Sequence, residues 1–323
     1  MFWYRSLFVR GAGVVWPLVL TASALTNAGA ASPALAPDAV HFKLHGDYLV
    51  VLPVMVNGAG PYSFLLDTGA AATVIDPDLQ RQLDAPPAGK STVAWLSGVQ
   101  HDQCVRLNKV QLGPAAVAGL EVLVDTMGDV KKLLPGIRGV LGEDFLKYFD
   151  VLIDYQKRSL YFGEMTPDGP QYSFEKAGAY HGIPTHNRLL LKVGFPDAGK
   201  EDVVLQLDTA AWVTELFPAS DIVLPSASES SSTRANAMAV QTANEAAFYR
   251  QATLRIGPTE LRGLSVAESR ENVMSDAVGL LPTAIFRRVY ISHSGGFVIL
   301  NPVMRRQPLH EKSIEVIAAG AAN

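Results

Sequence analysis

Short apolar runs separated by polar turns follow one another along most of the chain. Residues 54–56 and 62–66 lie on either side of a Gly-rich and Pro-containing stretch at 57–61, which is typical of a hairpin turn. A further hairpin is indicated at 151–162. Long helix-period patterns are missing, and a short helix is predicted at 143–148. The pattern therefore predicts an all-β fold with few short helices.

The order of features in the first half of the chain recurs in the second half. The segment Leu66-Asp67-Thr68-Gly69-Ala70 is restated as Leu207-Asp208-Thr209-Ala210-Ala211, and the two aspartates are 208 − 67 = 141 residues apart. The segment Gly139-Val140-Leu141-Gly142 is restated as Gly279-Leu280-Leu281-Pro282, 279 − 139 = 140 residues later. A near-constant offset indicates an internal duplication, and two copies are too few for a solenoid. Two lobes related by pseudo-two-fold symmetry are therefore predicted.

The repeat and the composition of the intervening stretches divide the chain into six parts. The predicted parts are a signal peptide at 1–30, a leader at 31–44, an N-terminal lobe at 45–165, a linker at 166–178, a C-terminal lobe at 179–302 and a tail at 303–323.

The first thirty residues have the pattern of a secretory signal. Arg5 and Arg10 precede an apolar run at 11–25, and Ala28-Gly29-Ala30 offers a small-residue cleavage site. The competing interpretation is an uncleaved membrane anchor, but the run is short for a spanning helix and Pro17 interrupts it. We therefore expect an exported protein, periplasmic or secreted, with no stable membrane insertion after the signal is cleaved.

Composition restricts the possible partners. The chain is 48% apolar and carries a net charge of −4 without a basic cluster, which argues against nucleic acid as a partner. Its histidines form no His-Glu-x-x-His arrangement, and no Gly-rich loop follows a strand and opens a helix. Neither a metal nor another cofactor is predicted. Cys104 is the only cysteine, so an internal disulfide is impossible.

The stretch around Asp67 places a carboxylate directly after three apolar residues. Such a carboxylate is costly unless it is hydrogen-bonded or paired, so it either caps its own turn or serves a chemical purpose. A two-fold axis between the lobes would bring Asp67 and Asp208 face to face. Two carboxylates at short range share one proton, and together they can act as general acid and general base in hydrolysis.

These motifs resemble those of aspartic peptidases with the pepsin and retropepsin type of fold, most closely bacterial secreted proteins with retropepsin-like lobes in tandem. The resemblance implies a two-lobed, pseudo-two-fold acid-protease-type β-barrel fold. It also implies that Asp67 and Asp208 form the catalytic dyad of an aspartic endopeptidase. Thr68 and Thr209 would then hydrogen-bond across the interface, and the residues that follow them, Gly69 and Ala210, would support the dyad.

The same resemblance implies two flap hairpins that close on a peptide or protein substrate in an interlobe cleft. The first flap is predicted at 93–99, where Trp95, Ser97 and Gly98 would face the cleft. The second is predicted at 239–244 and includes Thr242. Since both aspartates lie in one chain, a monomer would suffice for activity.

Two departures from the family pattern leave an alternative open. Ala210 stands where the pattern has glycine, and Pro282 replaces the second glycine of the later motif. If position 210 needs a positive φ, alanine costs about 1–2 kcal/mol; if φ is negative, only an extra methyl group is added near the dyad. The alternative is a catalytically weak or inactive peptide-binding envelope protein of the same fold.

Overall fold

The computed structural model describes residues 39–95, 98–163, 165–176, 178–180, 183–185, 188–225, 249–269, 275–304 and 314–317. The predicted signal peptide, most of the predicted leader and the predicted second flap lie outside these residues. Strands dominate the described part of the chain, and its helices are three α-helices of four to six residues and three single turns of 3-10 helix. The predicted all-β class with few short helices is therefore confirmed. No helix in these ranges is long and apolar enough to cross a membrane.

The N-terminal half, residues 39–163, contains eleven described strands and the three α-helices. The strands are β1 (Val40–His41), β2 (Lys43–His45), β3 (Leu49–Val56), β4 (Ala59–Leu66), β5 (Val74–Ile75), β6 (Pro87–Trp95), β7 (Gly98–Leu112), β8 (Ala115–Val124), β9 (Gly139–Leu141), β10 (Val151–Asp154) and β11 (Ser159–Phe162). The helices are α1 (Pro77–Gln82), α2 (Gly128–Leu133) and α3 (Glu143–Leu146).

The C-terminal half, from residue 165 onward, consists of strands and 3-10 turns in its described ranges. The strands are β12 (Pro167–Asp168), β13 (Tyr172–Glu175), β14 (Gly178–Tyr180), β15 (Ile183–Thr185), β16 (Leu190–Phe195), β17 (Lys200–Asp208), β18 (Thr214–Leu216), β19 (Tyr249–Ile256), β20 (Thr259–Glu268), β21 (Gly279–Pro282), β22 (Arg288–Ser292), β23 (Phe297–Leu300), β24 (Val303–Met304) and β25 (Ile314–Ile317). The 3-10 turns are Pro196–Ala198, Pro218–Ser220 and Thr283–Ile285.

Two large sheets contain most of these strands. The nine-stranded sheet has the order β2-β3-β4-β9-β5-β8-β7-β6, and β25 pairs in parallel with β8. The twelve-stranded sheet has the order β1-β11-β10-β22-β23-β13-β16-β17-β21-β18-β20-β19. Antiparallel pairing of β10 with β22, in which Leu152 lies opposite Tyr290, joins the two halves within this sheet.

The same strand crossing occurs in each half. The aspartate-bearing strand β4 pairs in parallel with β9, and β9 pairs antiparallel with β5. In the C-terminal half, β17 pairs in parallel with β21, and β21 pairs antiparallel with β18. Strands β9 and β21 each begin with a glycine, which allows the neighbouring strand to come close. A Cβ atom at Gly139 would lie 2.6 Å from the Val74 carbonyl oxygen, and one at Gly279 would lie 1.9 Å from the Glu215 carbonyl oxygen. The repeat seen in the sequence thus corresponds to a repeat of strand pairings.

One apolar core runs through both halves. Alternate residues of β3 face it, beginning with Val50 and Leu52, as expected for a strand covered on one face. Leu205 of β17 and Val289 of β22 belong to the same core. Since this core contains residues of both halves, strands β4 and β17, which lead into the two Asp-Thr loops, pack on the same core.

Candidate active site

Two equivalent loops carry the predicted dyad. Asp67 follows β4, and its Oδ1 accepts hydrogen bonds from the backbone N–H groups of Gly69, at 2.8 Å, and Ala70, at 3.0 Å. Asp208 ends β17, and its Oδ1 accepts from the corresponding groups of Ala210, at 2.6 Å, and Ala211, at 3.3 Å. Each carboxyl group is therefore oriented by its own turn through a single oxygen atom.

The threonines after the aspartates bind the two loops to each other. The Thr68 N–H donates to Thr209 Oγ1 at 3.0 Å, and the Thr209 N–H donates to Thr68 Oγ1 at 3.1 Å. Each hydroxyl then donates across the boundary, from Thr68 to the Leu207 carbonyl at 3.0 Å and from Thr209 to the Leu66 carbonyl at 2.8 Å. Both threonines are buried, so this symmetric set satisfies polar groups that water cannot reach. Thr68 and Thr209, the predicted dyad-supporting threonines, thus lie at the junction of the two loops.

The carboxyl groups of Asp67 and Asp208 meet beside Gly69. They are close enough for each to change the pKa of the other. A Cβ atom at Gly69 would lie 2.6 Å from Asp208 Oδ2 and 2.9 Å from Asp67 Oδ1. Only a residue without a side chain leaves room for both carboxyl groups at this point.

Burial makes ionisation of Asp67 unfavourable. It raises the pKa of Asp67 well above the ordinary value, and the nearby charge of Asp208 raises that pKa further. The N–H groups of Gly69 and Ala70 lower it only in part. Asp67 therefore retains its proton to a higher pH than an exposed aspartate does.

Asp208 is buried, and more groups stabilise its charge. Burial raises its pKa, and the N–H groups of Ala210 and Ala211, the hydrogen bond with Asp67 and the positive charge of Arg188 all oppose that rise. The two aspartates titrate as a pair that shares a proton. Within the described residues, no three His, Cys, Asp or Glu side chains are grouped as metal ligands would be.

Ala210, the first departure from the family pattern, does not have a left-handed backbone. Of the two possibilities raised by the sequence, the one without strain therefore applies. Its methyl group packs against an apolar layer of the N-terminal half that includes Leu65 and Val140. At Pro282, the second departure, φ is −69°, which suits a proline ring.

The predicted first flap corresponds to the end of a long hairpin. Strands β6 and β7 pair antiparallel, and Trp95 lies opposite Gly98 at its tip. Val93, near this tip, packs against the same apolar layer as Ala70 and Ala210. The hairpin thus packs on the same apolar layer as the residues that follow both aspartates. The predicted flap residues Ser97 and Thr242 lie outside the described residues.

The sequence did not reveal two buried polar residues near the dyad, Arg188 and Gln206. Both are 3% exposed, and Arg188 Nε donates to Gln206 Oε1 at 2.8 Å. Gln206 Nε2 in turn donates to the Gly69 carbonyl at 2.8 Å. One signal was present: Gln206 interrupts the otherwise apolar run Val203-Val204-Leu205-Gln206-Leu207.

The strand pairings and the joined Asp-Thr loops agree with the acid-protease-type fold expected from the sequence. Residues 52–145 match the family model described as aspartyl protease. The matched segment contains Asp67, Thr68 and Gly69 together with the first glycine motif. This part of the chain is thus similar to aspartyl proteases, which supports a protease-type function.

Comparison with solved structures includes the crystal structure of a retropepsin-like aspartic protease from Rickettsia conorii. It is 18% identical to this chain over 39% of this chain and 89% of that chain, with a TM-score of 0.27. No curated protein matches the chain.

Proposed function

We propose that this protein is an aspartic endopeptidase in which Asp67 and Asp208 form the catalytic dyad. The observation that carries the proposal is the approach of the Asp67 and Asp208 carboxyl groups to each other beside Gly69. Each is oriented by its own turn, and both turns are fixed by the crossed bonds of Thr68 and Thr209. A structural turn cap needs no second carboxylate beside it. Two carboxyl groups that share a proton are the arrangement that acid–base hydrolysis requires.

The proposed reaction uses one ionised and one protonated aspartate. The carboxylate takes a proton from a water molecule, whose oxygen forms a bond to the peptide carbonyl carbon. The carboxylic acid gives its proton to the carbonyl oxygen, which yields a tetrahedral diol. The newly protonated aspartate then gives its proton to the peptide nitrogen. The C–N bond breaks as the other aspartate takes a proton from a diol hydroxyl, so the new carboxyl carbonyl forms and the pair again holds one proton.

The β6–β7 hairpin is the proposed flap over the substrate. Its tip pairs Trp95 with Gly98, and Val93 contacts the apolar layer beside the dyad loops. An extended peptide bound beneath it would pair through its main chain, and water would be excluded as the hairpin closes. Because one chain supplies both aspartates, we propose a monomeric enzyme.

The alternative, a peptide-binding protein with a decayed dyad, is less well supported. It was suggested by Ala210, but the backbone there is free of left-handed strain. It would also be favoured by separated carboxyl groups, whereas oxygen atoms of Asp67 and Asp208 both lie next to Gly69.

Peptide hydrolysis across a range of pH tests the proposal. We expect Asp67→Asn and Asp208→Asn each to lower kcat/KM by about 10³-fold or more, since either change removes the pair's acid–base function. Asp78→Asn is the matched control, because Asp78 is an exposed aspartate in α1. Circular dichroism would verify folding. Full activity in a folded Asp67→Asn protein would refute the dyad.

For the location of the protein we propose export, on the basis of the signal-like segment at 1–30 alone. Amino-terminal sequencing of the mature protein would test this, and a mature chain that still begins at Met1 would contradict cleavage.

A further inference from the structure

The two halves differ directly behind the dyad. Leu65 lies two residues before Asp67, and Gln206 lies two residues before Asp208. Leu65 pairs with Val51 across the strands and Gln206 pairs with Leu190. The residues two positions before these partners are Leu49 and Arg188. An apolar pair, Leu49 and Leu65, in the N-terminal half is thus replaced by a polar pair, Arg188 and Gln206, in the C-terminal half, and all four residues are buried.

The polar pair is connected to the dyad by a directed chain of hydrogen bonds. Arg188 Nε and Nη2 both donate to Gln206 Oε1, which fixes the orientation of the Gln206 amide. The amide nitrogen therefore points the other way and donates to the Gly69 carbonyl at 2.8 Å. Gly69 is the residue that lies against both carboxyl groups. Arg188, in the C-terminal half, is in this way coupled to the dyad loop of the N-terminal half.

Several other polar groups face this cluster. Both Arg188 Nη1 and Nη2 lie 3.2 Å from Ser275 Oγ. The carboxylate of Asp276 is also nearby, since Asp276 Oδ2 and Arg188 Nη1 lie 3.4 and 3.8 Å from the position that a Gly178 Cβ would occupy. The buried hydroxyl of Tyr155 lies close enough to Asp208 to be affected by its charge. Arg188 is the cation among these groups, whereas the equivalent positions behind Asp67 are occupied by the apolar residues Leu49 and Leu65.

We propose that Arg188 and Gln206 are positioning residues that break the symmetry of the dyad, so that Asp208 is held as the carboxylate and Asp67 as the carboxylic acid. Gln206, which Arg188 binds, and Asp208 are two residues apart on β17 and therefore lie on the same face of that strand. A buried cation on this side of two close carboxyl groups favours negative charge on Asp208. The pKa directions agree, because Arg188 lowers the pKa of Asp208 while burial and the charge of Asp208 raise that of Asp67.

The catalytic consequence rests on the proposed function. Asp208 would take the proton from water, and Asp67 would protonate the peptide carbonyl. Gln206, by donating to the Gly69 carbonyl, would hold the loop that carries Asp67 at a fixed position relative to Arg188.

The test combines a titration with a pH profile. Carboxyl carbons of ¹³C-labelled aspartate would be followed by NMR in wild type, Arg188→Met, Arg188→Lys and the double variant Arg188→Leu/Gln206→Leu, with Asp67→Asn and Asp208→Asn for assignment. The double variant replaces the polar pair by an apolar pair like Leu49 and Leu65. It leaves neither of these two side chains buried without its polar partner, so it is expected to fold even if Arg188→Met does not. Arg262→Met removes the same charge from an exposed side chain and is the control.

We expect Asp208 to ionise first in wild type and its titration to move to higher pH in Arg188→Met and in the double variant. With a peptide substrate, kcat/KM on the acid side of the optimum should fall about tenfold relative to its plateau, because the base is protonated over a wider range. Arg188→Lys keeps the charge, so its Asp208 titration and pH profile should be closer to those of wild type. Arg262→Met should have the same titration and pH profile as wild type.

Two results would overturn the inference. One is a wild-type protein in which Asp67 ionises before Asp208. The other is an unchanged Asp208 titration in both the folded Arg188→Met protein and the double variant. The titration needs no turnover, so an asymmetric pair in a protein that hydrolyses no peptide would count against the proposed function and not against the role of Arg188.

Discussion

Gly69 and Ala210 occupy equivalent positions but have different surroundings. A side chain at Gly69 would enter the space between the two carboxyl groups. The methyl group of Ala210 instead packs against the apolar layer of the N-terminal half. Glycine is therefore required at position 69 but not at position 210. The requirement arises because the two carboxyl groups lie close to Gly69, and not from its backbone φ.

We predict that Gly69→Ala destabilises the protein by about 1–3 kcal/mol, because the new methyl group must displace a carboxyl group. Ala210→Gly should cost less than about 1 kcal/mol, from chain entropy and the loss of one methyl contact. Urea unfolding would measure both. Equal losses in the two variants would contradict this one-sided requirement.

The repeated pattern of residue types was enough to predict that four residues lie close together, because a two-fold arrangement brings equivalent positions together. These residues are Asp67, Asp208, Thr68 and Thr209. Arg188 could not be found in the same way. Its role depends on a cross-strand register and on a hydrogen bond to the other half, and neither leaves a periodic trace in the sequence.

At the scale of elements, Asp144 joins α3 to the segment before β5. Its Oδ1 accepts hydrogen bonds from the Thr73 N–H, at 2.9 Å, and the Thr73 hydroxyl, at 2.6 Å. Its Oδ2 has no partner among the described residues. Burial raises the pKa of Asp144 to about 6, although the bonds from Thr73 oppose the rise.

A raised pKa in the folded state means that the fold binds a proton that the unfolded chain has already released. The contribution of Asp144 to stability is therefore fully present below the unfolded pKa of about 3.9 and is lost as the pH rises through about 6. We predict that Asp144→Asn removes roughly 2 kcal/mol of this pH dependence between pH 4 and 7.

Urea unfolding of the Asp144→Asn protein at several pH values would measure that change, with Asp78→Asn as the exposed control. If the difference in unfolding free energy between wild type and Asp144→Asn were constant across this range, the carboxyl group would not be titrating as described.

Hairpins with strong turn signals were predictable, whereas two other elements were not. The turn predicted at 57–61 consists of Asn57 and Gly58, whose φ values are 51° and 80°, and residues 59–61 already belong to β4. Strand β7 is a single element of fifteen residues, and the predicted first flap covers only its beginning. Its earlier part is paired in a ribbon, and a ribbon with polar residues such as Asp102 and Gln103 lacks clear alternation. Strand β25 lies within the segment predicted as a tail.

For the whole molecule, two buried contacts between the halves are equivalent in position but different in chemistry. Glu143 Oε2 lies 2.8 Å from His293 Nε2, and the Tyr155 hydroxyl lies 2.5 Å from the Thr283 hydroxyl. Glu143 and Thr283 each follow a glycine-type motif, and Tyr155 and His293 each follow a central strand. The two-fold order was predictable from the repeat, but these partners were not, because each pair spans more than 120 residues.

We predict that Tyr155→Phe lowers the free energy of unfolding by about 1 kcal/mol, since one buried hydrogen bond is lost. Glu143→Ala should cost more, about 2–3 kcal/mol, because it leaves the buried His293 ring nitrogen without this partner. Denaturant curves should keep their slope if both halves unfold together. A two-step curve in wild type would show that these contacts do not unite the halves.

Strand β25 places residues 314–317 in the sheet of the N-terminal half, beside β8. During synthesis, the ribosome completes the rest of that sheet long before these four residues exist. The sheet of the N-terminal half therefore lacks β25 while the C-terminal half is being synthesised. A chain that stops before residue 314 leaves the edge of β8 at 115–118 without this partner strand.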